Sequence, residues 1–118
     1  MKIYKTKTFD SAHKLTLPYK SPCADNIHGH TWKVEIWIEA ERLNESEMVL
    51  DFQKIGDIID ELDHKYLNDI EGLEQPTAEN IVLWFIEKIS ECLSKDNELR
   101  VRVWETTTSY AEDEIVVG

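Results

Sequence analysis

The sequence predicts an α+β domain of two layers: a four-stranded antiparallel sheet with two helices on one face, in the order strand, strand, helix, helix, strand, strand. Three observations carry this. Apolar residues alternate in two stretches near the start and two near the end of the chain. Between them, apolar residues recur at helical spacing. Two helices can cover one face of a four-stranded sheet and leave the other face open.

The first strand is expected over residues 3–15, which begin with the β-prone run IYKTKTF. Extended, this stretch puts Phe9, Ser11, His13 and Leu15 on one face. Pro18 and Pro22 break regular structure, so residues 16–26 read as a loop. From His30 the alternation is clean, with Trp32, Val34, Ile36 and Ile38 one way and Lys33, Glu35, Trp37 and Glu39 the other. Phe52, Ile55, Ile59, Leu62 and Tyr66 then recur at helical spacing behind Asp51, a candidate N-cap. Residues 67–75 form a connector ending at Pro76. Thr77 is the expected N-cap of the second helix, and Glu79 lies in its first turn, where the helix dipole favours negative charge. Ile81, Phe85, Ile89 and Cys92 lie along one stripe of that helix. Residues 99–105 alternate again, and residues 110–117 read as the last strand. The face away from the helices would carry Trp37 and Trp104 beside Arg100 and Arg102. That face and the sheet edges need covering or pairing, which points to an oligomer.

The chain of 118 residues is expected to form one domain over residues 1–118. At that length about two-thirds of the unfolded surface is buried, enough for one core. With 42 % hydrophobic and 31 % charged residues it reads as globular rather than disordered. No apolar run approaches the ~20 residues of a membrane span, and MKIYKTKTFD lacks the apolar core of a secretory signal. A cytoplasmic protein with no membrane partner is expected, and 2 cysteines are too few for a disulfide framework. A net charge of −11 argues against nucleic-acid binding, which needs basic faces to neutralise phosphates. A small anionic substrate is still allowed, because a few local lysines can set a pocket's field.

The chemistry concentrates in CADNIHGHTW, residues 23–32. His28 and His30 are two apart, so in an extended chain both point to one side with Cα atoms roughly 6.5–7 Å apart. Two imidazoles so placed can converge on one ion, since a zinc–nitrogen bond is about 2.0–2.1 Å. Gly29 between them removes a side chain and is expected to lend backbone freedom. His13, on the inward face of a strand that can pair with this one, is the best candidate for a third ligand. Taken alone, it also reads as a satisfied core histidine. Three histidines without a fourth protein ligand describe an open, catalytic zinc site. Cys23 lies close by in sequence, and a thiolate near a cation has a lowered pKa that suits a base or nucleophile. An inert thiol is the alternative, and for Cys92 it is the preferred reading. Asp63 and His64 are adjacent near the end of the first helix, where a carboxylate can hold an imidazole as a proton relay. The alternative is a histidine stabilising the helix C-terminus. Glu105 ends an apolar face in a carboxylate. Either it meets a heterocycle offering two N–H donors, or the strand has reached solvent there.

Together FDSAH, CADNIHGH, MVLDF, LDHKYLN, PTAEN and VWET, in this order, resemble the 6-pyruvoyltetrahydropterin synthase and 6-carboxytetrahydropterin synthase family over nearly the whole chain. The resemblance implies a tunnelling fold (T-fold), in which two-layer subunits form a trimer around a β-barrel and two trimers stack. It implies a zinc ion held by His13, His28 and His30, Cys23 as the proton-abstracting residue, and Asp63 and His64 as the relay. It makes Glu105 the anchor of the pterin ring, and it implies sites built between subunits, so that Asp63 and His64 serve a neighbour's zinc. The implied substrate is 7,8-dihydroneopterin triphosphate, and the implied activity is that of a carbon–oxygen lyase releasing triphosphate. Lys14 and Lys20 are the candidates for meeting the triphosphate. Four residues separate Cys23 from His28, where the carboxy-forming relatives usually have three and the animal pyruvoyl-forming relatives five. The product therefore stays open between 6-carboxytetrahydropterin, for deazapurine synthesis, and 6-pyruvoyltetrahydropterin. Relatives that cleave the side chain to 6-hydroxymethyldihydropterin carry a glutamate in this loop. None stands between Cys23 and His28, although Asp25 is a possible substitute. The reading from another class is a non-catalytic pterin-binding or metal-binding protein of the same fold.

Overall fold

The computed structural model describes residues 1–22 and 24–118. Among them the chain runs through β1 (Lys2–His13), β2 (His28–Glu39), α1 (Phe52–Asp60), a 3-10 turn (Leu67–Asp69), α2 (Ala78–Ser90), β3 (Glu98–Thr106) and β4 (Ser109–Val116). The sheet order is β1-β2-β3-β4 with every neighbouring pair antiparallel, as the sequence predicts for a two-layer domain. The inward faces follow the alternation. Phe9, Trp32, Val34, Ile36, Ile38, Leu99, Val101 and Val103 are all buried. Against them pack Ile55, Ile58 and Ile59 of α1 and Ile81, Phe85 and Ile89 of α2. Fully burying one such side chain contributes about 1.5–3 kcal/mol. Sheet contact rather than intrinsic propensity therefore holds α1, whose 9 residues fall short of the ~12–15 that an isolated helix needs.

Both N-caps are as expected. The Asp51 carboxylate accepts from Gln53 N, and the Thr77 hydroxyl accepts from Asn80 N. The first helix, however, stops at Asp60, although Leu62 and Tyr66 continue its apolar spacing, and Phe52 is 49 % exposed. The reason is tertiary. Residues 61–66 turn back onto β1, where His64 N donates to Asp10 O at 2.7 Å and Ala12 N donates to Lys65 O at 3.0 Å. Leu62 is buried from this turn rather than from a helix. Cys92 follows the end of α2 and is only half-buried. Among the described residues no helix is long and apolar enough to cross a membrane.

On the far face Trp37 does lie among the arginines, with the Arg100 and Arg102 guanidinium carbons 4.3 and 5.0 Å from its ring centre. What alternation could not tell is that Glu35, on this outward face, is buried. Its carboxylate accepts from Tyr4 Oη and from Trp104 Nε1, both at 2.7 Å, and Arg102 comes within 3.6 Å. Burial works to raise the Glu35 pKa, but the Tyr4 and Trp104 hydrogen bonds and the charges of Lys33 and Arg102 outweigh it, so the carboxyl titrates below its usual range.

A carboxyl with a depressed folded-state pKa stabilises fully above its unfolded value of ~4.3, and the contribution fades as pH falls through the folded value. Glu35→Gln is therefore expected to cost about 1.5–3 kcal/mol at pH 7, with a smaller gap at low pH. Urea unfolding at pH 7 and at about pH 3.5 measures this, and an equal gap at both would contradict it.

Candidate metal centre

The ladder between β1 and β2 ends on histidines. His13 is the direct cross-strand partner of His28, and Ser11 is the partner of His30. Side chains of such opposed residues start only about 4.5–5.5 Å apart, so the register alone brings three imidazoles to one end of the hairpin. Their ring centres lie 4.5 to 5.1 Å apart, edge to face. Trp32 closes the core side, with its ring 5.0 Å from His13 and 5.2 Å from His30, and donates its indole N–H to Ser11 O. Gly29 contributes less than expected. Its φ is not positive, and an added Cβ would meet nothing within 4 Å, so neither backbone nor space demands glycine there.

Backbone carbonyls set the ring tautomers. His13 Nδ1 lies 2.8 Å from Pro76 O, and His28 Nδ1 lies 3.0 Å from Asn26 O. A carbonyl oxygen only accepts, so each Nδ1 carries the proton and each neutral ring offers a lone pair at Nε2. Those two Nε2 atoms face one another at 2.9 Å. Two acceptors so close repel unless a proton or a metal ion lies between them. Burial pushes the His13 pKa down, against the Pro76 carbonyl and Glu105, and His28 and His30 push the same way. Burial also lowers the pKa of His30, with Glu105 opposing and His28 reinforcing. Protonation of His13 and His30 is thus disfavoured, and a metal ion fits the place where the rings converge.

The third imidazole completes the set. His30 Nε2 is buried with no hydrogen-bond partner among the described residues. Glu105 Oε1 lies 3.3 Å from it and 4.0 Å from His13 Nε2, without hydrogen-bond geometry to either. One donor atom from each of His13, His28, His30 and Glu105 lies within 4.8 Å of all the others. Tetrahedral coordination with bonds of about 2.0–2.1 Å separates donors by roughly 3.3–3.4 Å, within the spread of these contacts. Carbonyl-held imidazoles are the usual outer support of such ligands. Glu105 thus stands beside the histidines, at the end of its strand. Alternation places it there: Glu105 continues the inward face of Leu99, Val101 and Val103, and the β3–β4 register shifts beside it, between Trp104 and Thr106.

The other predicted site residues stand elsewhere. Cys23 lies outside the described residues. Asp63 and His64 sit past the end of α1, in the turn bound to β1, and do not belong to the four-residue group. His64 has φ 54°, a left-handed conformation uncommon for a non-glycine residue, and its side chain is 79 % exposed. Its Nε2 lies 3.5 Å from Asp63 Oδ2, while Asp63 Oδ1 accepts from Asp10 N at 2.9 Å. The adjacent pair does approach itself, because the helix has already ended. Lys14 is half-buried and Lys20 exposed on the loop side of His13.

His28→Ala removes one lone pair from the convergence. Metal affinity is expected to fall more than ~100-fold, since losing only an outer-sphere partner already costs 10–100-fold. Metal analysis after dialysis checks this, with about one equivalent per chain in the parent protein. Equal metal content in parent and variant would exclude His28 as a ligand.

The model of the family described as 6-pyruvoyl tetrahydropterin synthase matches residues 2–114 of the chain. A protein of Pyrococcus horikoshii named putative 6-carboxy-5,6,7,8-tetrahydropterin synthase is 38 % identical over an alignment covering 94 % of this chain and 88 % of the relative. The 6-carboxy-5,6,7,8-tetrahydropterin synthase of Synechocystis is 36 % identical, with 92 % and 89 % covered. A dihydroneopterin monophosphate aldolase of Pyrococcus furiosus is 37 % identical, with 87 % of each chain covered. In three dimensions the chain matches Caenorhabditis elegans 6-pyruvoyl tetrahydropterin synthase at TM-score 0.76 and 22 % identity, over 98 % of this chain and 95 % of the other. At that identity the match speaks for the fold.

Proposed function

We propose that this chain, which belongs to the 6-pyruvoyl tetrahydropterin synthase family, is a zinc-dependent carbon–oxygen lyase acting on 7,8-dihydroneopterin triphosphate with loss of triphosphate. The product is 6-carboxy-5,6,7,8-tetrahydropterin, in line with the names of the relatives at 36–38 % identity. The observation that carries this reading is the convergence of His13, His28 and His30, with two opposed Nε2 lone pairs and a buried, unpartnered His30 Nε2. Bound there, zinc would act as a Lewis acid on the side-chain oxygens of the substrate. Zinc suits three neutral imidazoles, although other divalent ions accept them too.

Glu105, 25 % exposed at the rim of the histidines, accepts the adjacent N–H groups of the pterin ring and so fixes where the side chain meets the metal. Cys23 removes the side-chain proton as a thiolate. Asp63 and His64 relay protons. The exposure of His64, turned outward on a turn of its own, suits service to the centre of a neighbouring subunit in a homo-oligomer, a trimer or a dimer of trimers. Lys14 and Lys20, in the chain that follows His13, are the candidates to meet the triphosphate.

A second reading is side-chain cleavage to 6-hydroxymethyldihydropterin. The aldolase relative at 37 % identity favours it, being as similar as the synthases. Product analysis by mass spectrometry separates the two. Zinc-loaded protein is expected to give the 6-carboxy product with acetaldehyde and triphosphate, and Cys23→Ala to lose essentially all turnover. A 6-hydroxymethyl product would establish the second reading, and full turnover in Cys23→Ala would remove Cys23 as the base. Glu105→Gln is expected to keep its zinc and raise KM at least about tenfold, because the amide loses one charge-assisted acceptor for the ring N–H groups, about 1.5–3 kcal/mol. Loss of the zinc instead would make Glu105 a ligand.

A further inference from the structure

Beyond His13 the β1 strand loses its partner on β2, yet the chain stays tied to its neighbours as far as Thr16. Its outer edge explains why. Alternate residues 10, 12, 14 and 16 turn their backbone groups outward, and the connector between the helices binds every one of them. Asp10 N donates to the Asp63 carboxylate, Asp10 O accepts from His64 N, and Ala12 N donates to Lys65 O. Past that point the partner is no longer backbone. Lys14 N donates to Asn68 Oδ1 at 2.9 Å, and Asn68 Nδ2 donates back to Lys14 O at 2.8 Å. Thr16 N donates to Gln75 Oε1 at 3.1 Å, and Gln75 Nε2 donates back to Thr16 O at 2.9 Å. Each primary amide presents one donor and one acceptor in the spacing of a peptide group, so each stands in for one residue of a missing strand.

What the two amides hold is specific. Leu15, between the two clamped residues, is buried and pairs on its opposite side with Ala24, and its carbonyl accepts from Asp25 N at 3.0 Å. Ala24 and Asp25 lead into Asn26, whose carbonyl orients the His28 ring. On the other flank Gln75 precedes Pro76, whose carbonyl orients the His13 ring, and Asn80 Nδ2 fixes the Gln75 carbonyl at 2.8 Å. Both ring-orienting carbonyls, Pro76 and Asn26, thus hang on segments that Asn68 and Gln75 pin in place.

We propose that Asn68 and Gln75 are positioning residues of the metal centre: their side-chain amides replace a strand beside Lys14 and Thr16 and so set the carbonyls that aim His13 and His28. The proposal rests on reading the three histidines as metal ligands. Outer-sphere partners of metal-bound imidazoles typically govern 10–100-fold in affinity, and these amides act one step further out on two of them at once.

Asn68→Asp and Gln75→Glu keep the size and the acceptor but turn each donor into an oxygen facing a carbonyl. Metal-loaded parent and variants are mixed with a coloured chelator, and zinc affinity and release rate are read without any substrate. Each variant is expected to bind zinc about tenfold more weakly and to release it correspondingly faster. Asn44→Ala serves as the control for stability alone, because it removes the acceptor for Ser46 N and Met48 N in a separate turn. It is expected to lower Tm and leave zinc binding as in the parent. If a charged variant does not fold, Asn68→Ala and Gln75→Ala remove the clamps without adding charge and are read the same way. Folded clamp variants with parental zinc affinity and release would overturn the proposal alone. Parent protein that binds no zinc would overturn it together with the reading of the histidines.

Discussion

Two imidazole Nε2 atoms held 2.9 Å apart in a partly buried place are the constraint on which this structure turns. Left to themselves, His13 and His28 would protonate or separate. Burial opposes the first by lowering the His13 pKa, and the register of β1 on β2, with the carbonyls of Pro76 and Asn26 behind the rings, opposes the second. A cation shared between the rings resolves the conflict. Binding energy at such a site is also folding energy, because the unfolded chain has no convergent ligands. A one-residue slip of β1 would turn His13 to the opposite face and dissolve the site along with the core.

Much of the fold was legible because the residues involved report their own faces. The run Trp32, Val34, Ile36, Ile38 alternates without exception, and all four are buried as alternation requires. The N-caps at Asp51 and Thr77 were equally local, since each cap bonds an N–H two or three residues away. Where partners come from afar, the sequence misleads or says nothing. The spacing of Leu62 and Tyr66 continues a helix that the hydrogen bonds to β1 in fact end. Alternation puts Glu35 only on the outward face, and the partners that bury it arrive from β1 and β3, far along the chain. Of the metal centre, the three histidines could be found from parity. Glu105 was legible too, as the end of an inward face, but the carbonyls that orient two of the rings belong to backbone geometry and leave no mark in side-chain pattern.

The two regions that carry the proposed chemistry share one strand. The His13 end of β1 holds the candidate metal centre, while Asp10 and Ala12, a few residues earlier, anchor the turn of Asp63 and His64 on the outer edge. The inner edge of the strand gives its register to the ligands, and its outer edge gives it to an exposed imidazole. A rigid strand of this kind keeps two such groups in fixed relation, which is what a site assembled from neighbouring copies needs. The same division explains the bonding of the 63–75 connector, which carries little regular structure but binds alternate residues from Asp10 in β1 to Thr16 beyond its end.

Cobalt(II) substitution of the metal-free protein tests the convergence of the histidines most directly, because the visible spectrum of cobalt reports its coordination. Three imidazoles converging on one ion predict the intense visible bands of a four- or five-coordinate site, saturating at one equivalent per chain. The faint spectrum of a hydrated six-coordinate ion at every ratio would contradict it, and the 2.9 Å approach of two imidazoles would then need a proton rather than a metal to explain it.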